Sequence, residues 1–256
     1  MGSGARPTVS FSVTVLGSSA WYATRDRAAS GYLVDFGDTR IWLDAGGGTW
    51  QRLLECVDFP DIDGVILSHR HPDHTIDLFQ LFHARQYGGT EPMDPIPLWA
   101  PTETIDRMLA FTSQVDEAFD LRSVRPTETV EIAGAQISFF QMTHPPETVG
   151  VRIERDGGIF AYSADSGPEF DVTGLAGDAD VFVCEATYQA DDRLWEGHMS
   201  ATQAGTAAAE AVAKHVVLTH LPPTRDLDIS LREAQRAAGG IAVQLAVDGL
   251  KIEIEG

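Results

Sequence analysis

Polar and apolar residues alternate through Ser10-Phe11-Ser12-Val13-Thr14-Val15-Leu16, the period of a strand, and Gly17-Ser18-Ser19 breaks the run. Tyr32-Leu33-Val34-Asp35-Phe36 and Arg40-Ile41-Trp42-Leu43-Asp44, joined through Gly37-Asp38, predict a hairpin. Gly46-Gly47-Gly48 leads into a helix near Trp50 to Cys56. Gly64-Val65-Ile66-Leu67-Ser68 is a short continuous apolar run of the buried-strand kind, and it delivers the chain to His69. Helical spacing returns from Asp77 to Tyr87, with Leu78, Leu81 and Phe82 on one side and Gly88-Gly89 as the stop. A proline-rich loop through Pro92, Pro95 and Pro97 precedes a helix from Glu103 to Thr112.

The second half repeats this order. Thr129 to Ile132, Ala135 to Met142, Val149 to Glu154 and Gly158 to Tyr162 predict consecutive antiparallel strands, and Asp180 to Cys184 predicts a further apolar one. Helices near Thr202 to Ala213 and Ser230 to Ala238 flank a strand at His215 to Thr219, and Leu250 to Ile254 closes the chain. Strands come early in each half, helices follow, and no linker separates the halves. The expectation is an α+β fold in one domain over residues 1–256, with two mixed sheets face to face and helices outside.

Composition narrows the function classes. Hydrophobic residues make up 43% and charged residues 22%, ordinary soluble usage, and no apolar run is long enough to cross a bilayer. Residues 1–8 read as a loose N-terminus: Arg6 stands where a myristoylation signal wants Ser or Thr, and no secretion signal follows. The two cysteines, Cys56 and Cys184, lie far apart inside apolar stretches, which predicts buried free thiols and a cytoplasmic protein. A formal net charge of -20 repels a polyanion at long range, so extended nucleic acid is a poor partner. A small anionic substrate drawn to a cationic site is still permitted.

The strongest chemical signal is His69-x-His71-x-Asp73-His74 directly after a buried strand. Histidines cluster by chance and in purification tags, but a strand before and a Pro72 turn into a helix after give these side chains fixed positions. Imidazole and carboxylate suit zinc, manganese or iron, and a short loop can aim alternate ligands at two ions. His144, Asp165 and His220 each follow another predicted strand and reinforce the set. Asp44 reads equally well as a turn residue, and Arg27 as a phosphate contact or a surface ion pair. The glycine run at 46 to 48 lacks the Lys-Ser/Thr of a phosphate loop and is better read as a tight turn. His83 on a helix and His215 at a strand start read as structural.

The whole pattern resembles the metallo-β-lactamase superfamily, and more narrowly its ribonuclease Z-like branch of phosphodiesterases, from Val13 to about Thr224. Besides the histidine motif, Gly17-Ser18-Ser19 with Arg27 and Ser30, Leu43-Asp44-Ala45-Gly46, Ser163-Ala164-Asp165, Glu185-Ala186-Thr187-Tyr188, Gly197-His198-Met199-Ser200 and Leu218-Thr219-His220 carry the likeness. The resemblance implies a four-layer αβ/βα sandwich and two divalent metal ions, with zinc foremost. His69, His71 and His144 would hold one ion, Asp73, His74 and His220 the second, with Asp165 bridging and Asp44 supporting the loop. His198 would be the general acid that, with Asp73 and Asp165, completes the catalytic set, oriented by Glu185 or Glu196. The bland reading gives His198 to the start of the next helix, where Ser200 and Gln203 fit a capping box.

Such a pair of cations activates a bridging water for hydrolysis. Only residues 145 to 164 separate His144 from Asp165, leaving no room for the long arm usual in tRNA-processing ribonuclease Z. The expected enzyme is therefore a phosphodiesterase for a small, cyclic phosphodiester; Leu218 to Pro223 is also closer to the bacterial cyclic-nucleotide type. A lactonase or other ester or thioester hydrolase, an armless tRNA 3′-processing endonuclease, and a non-catalytic metal-binding protein or oxygen-sensing diiron relative are the alternatives. The Gly88-to-Pro101 and Gln189-to-Gly197 segments are expected to line the pocket. An outward Phe79, Leu81 and Phe82 region, with the resemblance, suggests a homodimer.

Overall fold

The two ends of the chain meet in one sheet, where β1 (Val9–Gly17) runs antiparallel to both β14 (Lys251–Glu255) and β2 (Gly31–Asp35). The structure, a computed structural model, describes residues 9–193 and 195–256; the expected loose N-terminus at residues 1–8 lies outside the described residues. The first sheet continues through β3 (Arg40–Ala45), β4 (Gly64–Ile66), β5 (Ile96–Ala100) and β6 (Phe119–Ser123), in the order β14-β1-β2-β3-β4-β5-β6. The second comprises β7 (Thr129–Ile132), β8 (Ala135–Gln141), β9 (Val149–Arg155), β10 (Gly158–Tyr162), β11 (Val181–Glu185), β12 (His215–Thr219) and β13 (Ala242–Leu245), neighbours in chain order. Each sheet has seven strands and mixes antiparallel with parallel pairs.

Period two explains the layers. In β1, β2 and β3, Phe11, Val13, Val15, Tyr32, Val34, Ile41 and Leu43 point into the core shared with the second sheet, while Leu16, Leu33 and Trp42 point to the helices. Opposite them, Val151, Phe160, Val183 and Val217 enter the shared core, and Ala161, Phe182, Cys184, Val216 and Leu218 face outward. A slip of one residue would exchange the contents of the two cores, so register is strongly set. Helices α1 (Thr49–Leu54), α3 (Leu78–Tyr87) and α4 (Thr102–Phe111) coat the first sheet. The second is coated by α5 (Val172–Ala176), α6 (Ala201–Glu210) and α7 (Leu227–Ala237), while α2 (Pro72–Thr75) is a single turn. The four-layer sandwich is the architecture expected. No helix among the described residues is long and apolar enough to cross a membrane.

Three strands depart from the sequence reading. The proline-rich stretch contains β5, which tolerates Pro97 because pairing with β4 begins only at Leu98. The other two, β6 and β13, are edge strands whose residues are mostly exposed or half-buried, so neither carries an apolar alternation. Two burial expectations also fail. Cys56 is exposed just after α1, while Cys184 is buried as expected. Leu81 and Phe82 face the core under the helices, which leaves Phe79 half-buried and Phe111 exposed as the outward aromatic pair.

Candidate metal centre

Strands from both sheets end at one rim, and the histidine-bearing loops leave from those ends. Asp44, buried at the end of β3 with a left-handed backbone (φ 57°), organises the first loop. Its carboxylate accepts from the Ser68 amide at 2.7 Å, Ser68 Oγ at 2.8 Å, His74 Nδ1 at 2.8 Å and Tyr162 Oη at 2.9 Å. A carboxylate only accepts, so His74 carries a proton on Nδ1 and turns Nε2 to the rim.

The same accounting fixes three other rings. Ser68 donates its hydroxyl proton to Asp44 and therefore accepts from His69 Nδ1, 3.0 Å away. Thr187 donates to Glu185 at 2.7 Å and accepts from His220 Nδ1 at 2.8 Å. His144 Nδ1 donates to the Gly197 carbonyl at 2.8 Å. Each of these rings spends Nδ1 on its anchor and turns Nε2 inward, and the four Nε2 atoms converge. His71 presents Nδ1 instead, 3.0 Å from His69 Nε2 and 3.2 Å from His144 Nε2, so at most one proton is shared among three nitrogens.

Asp165 divides its oxygens between two groups. Oδ2 stands 3.6 Å from His69 Nε2 and 3.9 Å from His144 Nε2, whereas Oδ1 stands 3.2 Å from His74 Nε2 and 3.5 Å from His220 Nε2. Asp73 completes the second group, 3.4 Å from His220 Nε2, and its Oδ2 also accepts from the Trp21 amide at 2.9 Å. His74 Nε2 and Asp165 Oδ1 are fully buried and have no hydrogen-bond partner among the described residues. Orphaned buried polar atoms are costly unless something else satisfies them.

A cation would. His69, His71, His144 and Asp165 form one set whose ligand atoms can share an ion, and Asp73, His74 and His220 form another. Ligands at about 2.0–2.1 Å from one tetrahedral ion stand about 3.3 Å apart, close to the spacing of the three nitrogens here. Burial pushes His69 well below the ordinary histidine range and lowers His71 and His144, which keeps these rings in the neutral form that binds metal. Burial acts the same way on His74, but the Asp165 and Asp44 carboxylates on either side outweigh it and push the ring up. Burial opposes ionisation of Asp165, yet the His220 and His74 rings hold it well below the carboxylate range.

Gly46 lets the loops close. The Asp73 carbonyl accepts from the Ser30 amide at 3.2 Å, and a Cβ on Gly46 would overlap that carbonyl oxygen. The glycine run is thus a close turn against the motif loop, as its sequence suggested.

His198 lies beside the candidate metal ligands. Its buried ring stacks on His220 with centroids 5.2 Å apart, and His144 is 5.0 Å away. His198 Nδ1 meets Glu185 Oε1 at 2.8 Å, so Nε2 is the nitrogen left free. Burial disfavours the charged ring, but the Glu185 carboxylate outweighs it and raises His198 to about 9; positive charge gathered in the neighbouring cluster would draw it back toward neutrality. Glu185 also accepts from the amides of Ser166, Thr187 and Met199 and from Thr187 Oγ1, so its lone pairs are engaged in fixing this wall of the site. Glu185, rather than Glu196, is the orienting carboxylate. The cap of α6 is made by Ser200 and Gln203, which exchange both bonds of a capping box without His198.

Some candidates lie elsewhere. Arg27 is not gathered with the cluster: its guanidinium donates to Ser18 O and Oγ at 3.0 and 3.2 Å and lines a separate cavity with Arg52 and Asp248. His83 is exposed on α3 and His215 half-buried at the start of β12, both away from the cluster sets. Trp195, Glu196 and Gly197 from the expected Gln189-to-Gly197 loop line a cavity of about 500 Å³ beside His144. The Gly88-to-Pro101 segment does not line it, because its end is drawn into the first sheet as β5. Tyr162, Ser68 and Thr187 were missed by sequence reading.

Replacing Asp44 with alanine should cost about 3–5 kcal/mol of stability, since it strands a buried ring, a hydroxyl pair and an amide together. Denaturant unfolding would read this, and an unchanged midpoint would rule out the anchoring role.

The family described as the beta-lactamase superfamily domain matches residues 39–221 of the chain. An uncharacterized protein of Mycobacterium leprae (strain TN) is 36% identical over 264 aligned residues, covering 99% of this chain and 92% of that protein. The probable metallo-hydrolase YhfI of Bacillus subtilis (strain 168) is 29% identical, with 93% and 97% covered. The crystal structure of YhfI, a metallo-β-lactamase fold protein, superposes with a TM-score of 0.87 at 28% identity, covering 96% of this chain and 100% of that one. A ribonuclease Z of Kineococcus radiotolerans is 28% identical, with 92% and 93% covered.

Proposed function

Because the chain belongs to the metallo-β-lactamase superfamily, we propose that this metallo-hydrolase is a dinuclear phosphodiesterase acting on a small phosphodiester, with cyclic nucleotides or other cyclic phosphates as the substrate class. His69, His71, His144 and Asp165 would hold one divalent ion, zinc foremost, and Asp73, His74 and His220 the other, with Asp165 Oδ1 also turned toward this second set. Once bound, such ions lower the pKa of a water and polarise a phosphoryl oxygen. The chain's own contribution is to hold neutral rings and carboxylates in place through Asp44, Ser68, Thr187 and Glu185, and to protonate the departing oxygen.

The observation that carries this reading is the His198–Glu185 pair. It stands against the cluster with one ring nitrogen spent on Glu185 and the other free, which is how a general acid for a poor leaving group should be held. Acyl transfer to a lactone or thioester has less need of it. The short β9–β10 hairpin between His144 and Asp165 favours a small substrate over a tRNA, as does the charge of -20. The relationship to a protein named ribonuclease Z agrees with phosphodiester chemistry. The exposed Cys56 thiol suits a reducing cytoplasm.

Hydrolysis of bis-p-nitrophenyl phosphate, set beside a lactone and a thioester with metal content measured on the same sample, tests the reading. Turnover of the diester, with both acyl substrates inert, is expected. The reverse ranking would sink it.

A further inference from the structure

We propose that Trp195 is the specificity-determining wall of the substrate site, stacking against the planar base of a nucleotide whose phosphate lies at the metal cluster; this rests on the phosphodiesterase reading above.

Trp195 is held as a platform. Its indole lies over Gly197, where a Cβ would overlap the ring, so only glycine lets the aromatic rest on the backbone. The Trp195 carbonyl accepts from the His198 amide at 3.1 Å, closing the turn. The ring then meets His144 edge-on at 5.5 Å and His198 at 5.3 Å, one a candidate metal ligand and the other the proposed acid. A hydrophobic side chain in so fixed a place would ordinarily be covered, yet Trp195 is 46% exposed.

What it faces is informative. Trp195 borders the cavity of about 500 Å³ beside His144 and a second of about 290 Å³ beside His198. Glu147 and Glu196 line the first, Glu169 and Glu196 the second, and among the described residues no lysine or arginine lines either. Carboxylates repel a further phosphate, so this space suits the uncharged part of a substrate whose single phosphate sits at the cluster. An exposed indole offers a flat ring its best partner there, because aromatic faces stack on any base.

Binding separates this from the reading beneath it. Calorimetric titration of the metal-loaded protein should show adenosine 5′-monophosphate binding more tightly than ribose 5-phosphate. Trp195→Ala should weaken the nucleotide about tenfold, the scale of a lost base–aromatic stack, and leave ribose 5-phosphate unchanged, whereas Trp195→Phe should keep most of the difference. With cyclic nucleotides, the alanine variant should raise KM by a similar factor with kcat nearly constant. Equal affinity for the two probes in the unaltered protein, or equal weakening of both by Trp195→Ala, would overturn the stacking role. A protein that hydrolyses cyclic nucleotides without this discrimination loses only the stacking proposal. One that discriminates through Trp195 but cleaves no phosphodiester keeps it and loses the phosphodiesterase reading.

Discussion

Replacing His198 with alanine is expected to leave both metal positions filled while turnover of a cyclic phosphodiester falls by roughly a hundredfold or more, the usual scale for loss of a general acid. The fold should tolerate the change. Glu185 retains its bonds from the Ser166, Thr187 and Met199 amides and from Thr187 Oγ1, so its charge is not stranded, and the cap of α6 does not involve His198. The leaving group supplies a sharper readout. A p-nitrophenolate departs without a proton, so bis-p-nitrophenyl phosphate should lose much less than an alkoxide-releasing cyclic nucleotide. Equal losses on both would assign His198 a packing role, and unchanged turnover would remove it from the mechanism.

The second large effect is expected at Asp165. Because Oδ1 faces His74 and His220 while Oδ2 faces His69 and His144, Asp165→Ala withdraws a ligand and a negative charge from both groups at once. Metal analysis of the purified variant should show reduced content at both positions, whereas His71→Ala should reduce one. Two ions still bound per chain in the Asp165 variant would contradict the bridging role. Activity should vanish with the metal and return only in part when excess metal is supplied.

How much could be read beforehand depended on whether the information was local. His69, His71, Asp73 and His74 share one loop after an apolar strand, so spacing alone exposes them. His144, Asp165 and His220 are lone residues, visible because each follows a strand. Tyr162 gives no such hint: in sequence it ends a buried strand like any core aromatic, and only the fold brings its hydroxyl to Asp44 across 118 residues. Thr187 lies within a stretch that carries the family likeness, but its place between Glu185 and His220 is purely spatial. Arg27 was open between a phosphate contact and a surface ion pair, and where its guanidinium lies, donating to the Ser18 carbonyl, is information the sequence does not carry. In the fold, central strands announce themselves with two apolar faces, whereas β6 and β13 at the edges have little to bury.

The two halves of the sandwich carry separate helical coats, and the loops bearing their candidate ligands meet at the rim. His69, His71, Asp73 and His74 come from one half, His144, Asp165 and His220 from the other. Bound cations would therefore act as a rivet across the seam. Chelation should lower the melting temperature and loosen the seam first, and resupply should restore both, because whatever binds only the assembled halves stabilises them in proportion to its concentration.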